Sequence, residues 1–328
     1  MMSSRTIIRC LAYSAFCLFL MVHGCTSQDD GPVSIATKFA PDEAATYKVV
    51  TKSTQGVKWE GSIPDKPAFK GGINSNEVEI VFDQQIQKVD VQGNAVAKIT
   101  VKKLKYFSKV KDNVIIDVDS SGEQNENNSI SNLIGKSYII EISPGGKINK
   151  VVGDEEIQSV VKKCRVVNKT ALSGLFTADV VKGRHGLLRL PEEEKMLQKG
   201  GSWSSLQNFS FGMMGSKTYE RVYTFKDIRK TKDIQTGIFQ MKGIPSTEMT
   251  EQLYKERNTP DLSKGFDSSS TYSGELEMDL ESGKVLKYVE SLDSTWKSGQ
   301  LPVKQEQDKE PVALTMSATR FYSLEMVD

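Results

Sequence analysis

Histidine and cysteine are scarce in this chain of 328 residues, which has two histidines and four cysteines. Two of the cysteines and one of the histidines fall in an apolar N-terminal segment of 24 residues that is typical of a cleaved signal. Beyond that segment only Cys25, Cys164 and His185 remain. A zinc site of three or four nitrogen and sulfur ligands cannot be assembled from them within one chain. We therefore expect no metal site.

An excess of charge of one sign is also lacking. The chain has 43 basic and 42 acidic residues, and removal of Arg5 and Arg9 with the N-terminal segment leaves 41 basic residues. No overall field favours a nucleic acid or an acidic polymer. We expect no nucleic-acid partner.

Sequence motifs for nucleotide binding and nucleophilic catalysis are missing. Gly135, Lys136 and Ser137 resemble the end of a phosphate loop, but Ile130 stands where such a loop requires glycine. His185 lies in a basic stretch between glycines, which predicts an exposed loop without a nucleophile beside it. We assign no catalytic residue and no cofactor.

The N-terminal segment itself is informative. Arg5 and Arg9 precede roughly twelve mostly apolar residues, too few to span a bilayer, and this run ends in Gly24 and Cys25. The pattern resembles a bacterial lipoprotein cleavage site. The resemblance implies that residues 1–24 are removed and that Cys25 carries a diacylglyceryl group and an amide-linked acyl chain such as palmitate. Cys164 would then have no disulfide partner.

The same resemblance implies a location. Two or more acyl chains attach a protein durably to a membrane. We expect a lipid-anchored protein of the bacterial cell envelope. Thr26 is not the aspartate that, by resemblance to some two-membrane systems, retains lipoproteins in the inner membrane, so we expect the outer membrane, facing the periplasm or the cell surface. Residues 25–45 are mostly small and polar without periodicity, which predicts a flexible tether.

Alternation of apolar and polar residues dominates residues 46–328. Val78, Ile80 and Phe82 share one strand face, and the change of parity before Val89 predicts a bulge within residues 84–88. Many such strands separated by turns predict a mainly β (α+β) fold, with a large antiparallel, curved sheet or half-barrel and two or three short helices.

Two hairpins have turns clear enough to derive a register. Gly146 and Gly283 would occupy the left-handed position of three-residue loops. In the second hairpin this places Leu276 opposite Tyr288 and Met278 opposite Leu286. The hairpins share a short pattern, so residues 46–165 and 200–328 are either two related halves joined by a helical segment or two uses of one common turn.

One helix is predicted after the first hairpin. Asp154 suits the N-cap, and Ile157, Val160, Val161 and Cys164 recur with helical spacing, which places Cys164 in the core. A second helix is expected over residues 171–181.

Two rows of like charge admit two interpretations each. The row of Lys103, Lys105, Lys109 and Lys111 is either a site for an anionic head group or polysaccharide, or a solvated strand face. The row of Glu275, Glu277, Asp279 and Glu281 either contains the two catalytic carboxylates of a hydrolase or is a solvated strand face.

Leu190, Pro191 and the run Gly200 to Trp203, together with the two hairpins, resemble a family of uncharacterised secreted bacterial lipoproteins known as a domain of unknown function. More loosely, long antiparallel strands behind a lipoprotein signal resemble the half-barrel lipid and lipoprotein carriers of the bacterial envelope. These resemblances imply a β-rich fold and specify no activity.

The sequence thus favours a non-catalytic envelope lipoprotein that binds an apolar ligand (a lipid or an acylated partner) or a partner protein. Two short helices would leave part of a large sheet for that ligand. Its expected lining is Leu276, Met278, Leu286 and Tyr288. The alternative is a carboxylate-based hydrolase acting on envelope glycans, which needs neither histidine nor cysteine.

Overall fold

The structure is a computed structural model. It describes residues 31–61, 69–111, 113–121, 131–163, 166–186, 188–191, 193–231, 234–248, 262–299 and 313–327. The chain divides into two compact units, Met1–Pro32 and Val33–Asp328, and the elements below all belong to the second. Within the described ranges, no helix is both long and apolar enough to cross a membrane.

A twelve-stranded antiparallel sheet forms most of this unit, and it is curved without closing into a barrel. Its strands are β2 (Ala44–Glu60), β3 (Gly72–Val89), β4 (Ala95–Val110), β5 (Asn113–Asp119), β6 (Ser137–Ile142), β7 (Ile148–Val152), β9 (Ser202–Ser210), β10 (Ser216–Thr231), β11 (Ile234–Ser246), β12 (Phe266–Asp279), β13 (Val285–Ser298) and β14 (Ala313–Val327). The helices are α1 (Glu155–Lys163), α2 (Val166–Leu175) and α3 (Ala178–His185). The predicted fold class is confirmed.

The strand order shows how the sheet is assembled. It runs β7-β6-β4-β3-β2-β14-β13-β12-β11-β10-β9, with β5 paired to β4. Strands before the helices and strands after them therefore form two meanders, which meet where β2 pairs with β14. Whether the two meanders descend from one ancestral half stays a prediction.

The predicted tether is too long at its C-terminal end. Within residues 25–45, β1 (Val33–Ile35) pairs with β8 (Lys195–Leu197), and Val33 and Ile35 are buried. Ala44 already belongs to β2. Val33 and Ile35 alternate with Ser34, so their side chains point to the same face of a short strand. The composition of this segment did not reveal the strand. Cys25 lies outside the described residues.

The hairpin registers follow the turn chemistry. Gly146 and Gly283 have positive φ of 79° and 71°, as predicted, and a side chain at Gly283 would lie 2.4 Å from the carbonyl oxygen of Ala36. Leu276 lies opposite Tyr288, which confirms the second register in part.

One pairing in that hairpin was predicted wrongly. The register shifts after Glu277, so that Met278 lies opposite Val285 rather than Leu286. Leu280 has left the strand, and its N–H donates to the Gln235 carbonyl oxygen of β11 at 2.9 Å. The Leu280 N–H is therefore paired with the neighbouring strand β11 rather than within the hairpin. The bulge predicted in β3 is confirmed by the register shift between Ile86 and Lys88.

The helices pack on the face of the sheet that we call the inner face, which carries Val49, Ile80 and Phe82. Ile157 and Val161 of α1 are buried as their spacing predicts, whereas Cys164 lies outside the described residues. The predicted second helix is in fact two helices, α2 and α3.

His185 was predicted to lie in an exposed loop and instead ends α3. Thr177 caps this helix by accepting from the Val180 N–H, and the buried Val181 and Arg184 fix the helix against the sheet. Tertiary packing therefore overrides the helix-breaking tendency of Gly183, whereas Gly186 is the C-cap at which the helix ends.

Candidate ligand-binding groove

Three cavities follow one another along the inner face of β2 and β14. The first lies beside Ala45 and Tyr47 of β2, the second beside Thr51 and Ser53, and the third beside residues 55–57. From Ala45 to Val57 an extended strand covers roughly 40 Å. We call this row the inner groove. It arises because inner positions of β2 after Val49 carry small or polar side chains that do not fill the space.

The first cavity has a volume of about 100 Å³ and a largely apolar lining. Its walls are the side chains of Phe39, Tyr47, Phe82, Ile86, Leu188, Leu190 and Leu324. At its rim the Glu43 carboxylate pairs with Lys284 Nζ at 2.6 Å, and Lys38 Nζ donates to the Glu281 carbonyl oxygen at 3.2 Å. Residues 36–43 therefore cover the turn between β12 and β13 and close this end of the groove.

The second cavity is the largest of the three, at about 320 Å³. This volume is near the lower end of the range of small-molecule sites, which is roughly 300–1,000 Å³. Its lining is mixed: apolar residues Val78, Leu175, Val180, Phe209 and Leu292; polar residues Thr51, Ser53, Asn76, Gln207 and Asn208; and charged residues Arg184, Glu290 and Arg320. Such a lining suits a ligand with both an apolar and a polar part.

Arg184 and Tyr322 separate the first cavity from the second and line both. The Tyr322 hydroxyl donates to the Arg184 carbonyl oxygen at 2.8 Å, so α3 is held directly over β14. Arg184 Nη2 donates to the Leu175 carbonyl oxygen at 2.6 Å. The partition between the two cavities is therefore held by hydrogen bonds from side chains to backbone carbonyl oxygens.

The third cavity, of about 130 Å³, continues the row toward the other end of β2. Phe211, Met214, Trp296 and Met316 provide its apolar lining, and Gln55 and Asn74 contribute polar groups. Trp296 is 1% exposed, and its indole Nε1 has no hydrogen-bond partner among the described residues.

A buried charge network forms the floor beside the second cavity. The Glu290 carboxylate accepts from the Tyr272 and Tyr288 hydroxyls at 2.6 and 2.5 Å, and Arg221 Nη1 lies 3.6 Å from it. The hydroxyls of Tyr288 and Tyr223 are 3.0 Å apart. Burial raises the pKa of Tyr223 to about 12 and also raises the pKa of Tyr272 and Tyr288. These tyrosines stay neutral donors, and Arg221 compensates the charge of Glu290.

His185 joins the wall of the first cavity. Its Nε2 lies 2.6 Å from the Tyr138 hydroxyl, and its ring packs edge-on against Phe82 with centroids 4.8 Å apart. Burial, aided by the charge of Arg184, lowers the pKa of His185 to about 3. In the neutral tautomer that carries its proton on Nδ1, Nε2 accepts the hydrogen bond from the Tyr138 hydroxyl. Sequence analysis could not reveal this contact, because Tyr138 and His185 are 47 residues apart.

The role predicted for Leu276, Met278, Leu286 and Tyr288 as a ligand lining stays a prediction, and the structure shows where these residues lie. Leu276, Met278 and Tyr288 are 0% exposed and belong to the hydrophobic core, while Leu286 is half-buried. None of the four lines the three cavities described above. A stripe of large apolar side chains identifies a filled region, whereas the groove is found where the inner positions are small or polar.

The two rows of like charge lie on strands whose alternate residues are buried. Lys103 and Lys105 of the basic row pair across strands with Glu79 and Asp119, at 3.5 and 2.9 Å. These ion pairs fit the interpretation of a solvated strand face.

The acidic row alternates with the buried Leu276 and Met278 and therefore lies on the opposite face of β12 from the core. Glu277 pairs with Arg229 at 3.1 Å. Glu275, Glu277 and Asp279 therefore do not face the groove, whereas Glu281 follows β12 and its carbonyl oxygen accepts from Lys38 at the rim of the first cavity.

No protein-family model matches the chain. No curated protein matches it either. A solved structure that concerns lipid–protein interactions in lipovitellin is similar with a TM-score of 0.36 and 11% identity. The match covers 89% of this chain but only 26% of that one. The resemblance to a lipoprotein family of unknown function stays without support from these comparisons, and no activity is transferred from lipovitellin at this level of similarity.

Proposed function

We propose that this protein is a membrane-anchored, non-catalytic binding protein of the bacterial cell envelope, and that its inner groove holds an apolar ligand, either a lipid or the acyl chain of a partner. The observation that carries the proposal is the row of three cavities along β2 and β14. Protein interiors are normally packed to the density of organic crystals. Unfilled space of this extent along the inner face of the sheet therefore favours a bound ligand.

The lining supports an apolar occupant rather than water alone. The first cavity is walled by aromatic and leucine side chains from four separate segments, among them Phe39, Phe82, Leu188 and Leu324. Apolar cavities bind apolar guests in preference to water. The second cavity adds Val78, Phe209 and Leu292 beside its polar groups. An acyl chain lying along the strands would cover these surfaces.

The proposed anchor would bring the groove close to a supply of lipid. Val33, where the described strands begin, lies eight residues after Cys25. Eight extended residues reach no more than about 29 Å, which is less than the thickness of a bilayer with its head groups. A protein attached through Cys25 would therefore keep its inner groove near the membrane surface.

Anchoring is tested by the Cys25→Ser variant. We expect this variant to move from the membrane fraction to the soluble fraction and to lose normal N-terminal processing, because lipid can no longer be attached. Retention in the membrane pellet after a high-salt wash would contradict anchoring through Cys25.

Ligand binding is tested by filling the second cavity. Ser53 and Thr54 are neighbours in β2, but Ser53 lines the cavity and Thr54 points to the opposite face. We expect Ser53→Trp to abolish saturable binding of a fluorescent fatty acid and to remove lipid that co-purifies with the protein, as measured by mass spectrometry of an organic extract. Thr54→Trp is the matched control and should bind like the wild type.

Two results would contradict this proposal or place the ligand elsewhere. If the wild type carries no lipid and shows no saturable binding, the proposed function is wrong. If Ser53→Trp and Thr54→Trp bind equally well, the ligand lies outside the second cavity.

A further inference from the structure

Two arginines of the second cavity lack the acidic partner that a buried cation normally has. The arginine ion pairs among the described residues are Arg221 with Glu290 and Arg229 with Glu277. Neither pair includes Arg184 or Arg320. Arg184 is buried and Arg320 is partly buried. Because removing a charge from water without a counter-ion costs free energy, an anionic ligand between these two side chains would be favoured.

Arg320 is held in position by its neighbours. Its guanidinium lies 5.6 Å from the ring centroid of Phe209 and 5.5 Å from that of Phe211, and Nη2 donates to the Ser210 carbonyl oxygen at 2.6 Å. Burial lowers the pKa of Arg320, and no carboxylate acts against that effect. The guanidinium is thus oriented by contacts that use only one of its two terminal nitrogens.

Arg184 is more deeply buried, at 7% exposure. Its Nη2 donates to the Leu175 carbonyl oxygen, but its Nη1 is buried and has no hydrogen-bond partner among the described residues. A buried donor without a partner costs about 1–3 kcal/mol. Because Arg184 lines the second cavity, an anion bound there would offer its guanidinium an acceptor.

The other charged groups of the second cavity are already compensated. Glu290 is held by Arg221 and by the hydroxyls of Tyr272 and Tyr288. Lys52 pairs with Glu77 at 2.9 Å. The lining of the cavity therefore has a positive balance from Arg184 and Arg320.

We propose that the ligand of the inner groove is a long-chain fatty acid, with its carboxylate held between Arg184 and Arg320 and its tail extended past Tyr322 into the first cavity. This inference rests on the proposed function, because it specifies the ligand of the same groove. Charge-assisted hydrogen bonds from guanidinium to carboxylate are about twice as strong as neutral ones. The small carboxylate leaves the rest of the 320 Å³ for the chain.

The test compares an acid with the matched alcohol. Membranes containing the full chain are labelled with a photoreactive, clickable fatty acid, and unlabelled hexadecanoic acid or hexadecanol competes for the site. For the wild type we expect the acid to compete at a roughly 10- to 100-fold lower concentration than the alcohol, which corresponds to one lost hydrogen bond to a charged group. Labelled peptides should map to β2, β3 or β14.

Arginine variants identify the groups responsible. We expect Arg320→Gln to remove the preference for the acid, so that acid and alcohol compete at similar concentrations. Arg320→Lys keeps the charge and should retain part of the preference. Arg229→Gln removes an arginine that pairs with Glu277 outside the groove, and it should behave like the wild type.

The failures of the two proposals are distinguishable. Equal competition by acid and alcohol in the wild type would overturn the fatty-acid inference and leave an apolar groove. An unchanged preference in both Arg320→Gln and Arg184→Gln would also overturn it. Absence of saturable labelling by any chain would contradict the proposed function itself.

Discussion

The inner face of this single sheet is filled on one side and hollow on the other. On β10 to β13 the inner positions carry large side chains that are at most 3% exposed: Tyr219, Tyr223, Phe225, Phe239, Met241, Tyr272, Leu276, Met278 and Tyr288. On β2 and β14 equivalent positions carry Thr51, Ser53 and Arg320, and cavities lie beside them. Both regions share the backbone geometry of one sheet, so the difference between core and groove lies in the side chains at the inner positions.

The largest expected effect on stability comes from disrupting the buried charge network on the filled side. Arg221→Met leaves the Glu290 carboxylate buried without its cation, and we expect the free energy of unfolding to fall by about 3–5 kcal/mol in urea denaturation. Arg229→Met removes an arginine that is largely exposed and should cost no more than about 1 kcal/mol. Similar losses for both variants would mean that the network adds nothing beyond a surface ion pair.

A second test separates the core from the groove at Leu276. We expect Leu276→Ala to lower the free energy of unfolding by about 2–5 kcal/mol, because it leaves a void in a packed region. The adjacent Glu275→Ala, on the exposed face, should stay within about 0.5 kcal/mol of the wild type. If Leu276→Ala were stable but lost ligand, the lining predicted from the sequence would be correct and the groove misplaced.

The two sides should also differ in their response to pH. His185 on the hollow side has a pKa lowered to about 3, whereas the pKa of Tyr223 on the filled side is raised to about 12. Below an unfolded-state pKa of about 6.5, the unfolded chain binds a proton at His185 that the folded protein excludes.

Stability from His185 is therefore complete above about pH 6.5 and decreases toward pH 3 by up to about 1.4 kcal/mol per pH unit. We expect a lower urea midpoint at pH 5 than at pH 7, and a smaller difference in His185→Gln. An equal pH dependence in the variant would assign the effect to other groups.

The smallest expected difference concerns two serines. Ser294 on β13 is 2% exposed and lies 2.9 Å from the Ser270 hydroxyl, so Ser294→Ala should cost about 1 kcal/mol. Ser53→Ala in the groove should change the free energy of unfolding by less than about 0.5 kcal/mol. Equal costs in thermal or urea unfolding would show that the groove is as tightly packed as the filled side.

Local chemistry explains what could be predicted from the sequence. The turns at Gly146 and Gly283 and the alternation around Leu276 act over a few residues, and they led correctly to hairpins and a mainly β fold. The helix start at Asp154 was likewise predicted from capping and spacing.

The groove could not be predicted, because it depends on contacts that are distant in sequence. Its walls combine β2 with β14, and its partition pairs Arg184 with Tyr322, 138 residues apart. The polar inner positions of β2 also concealed that strand, since alternation signals a strand only where one face is apolar. The search for an apolar stripe therefore led to the filled side.

The junction of β2 and β14 has a consequence for how this chain folds. The two meanders become one sheet only when β14 (residues 313–327) pairs with β2, and the paired residues are more than 250 positions apart in the sequence. Long-range pairings of this kind slow folding, because the cost of closing the loop comes before the gain. Until that step, the unpaired edges of β2 and β13 are exposed to other chains. Truncation before β14 would leave these edges unpaired, and we expect the truncated chain to aggregate.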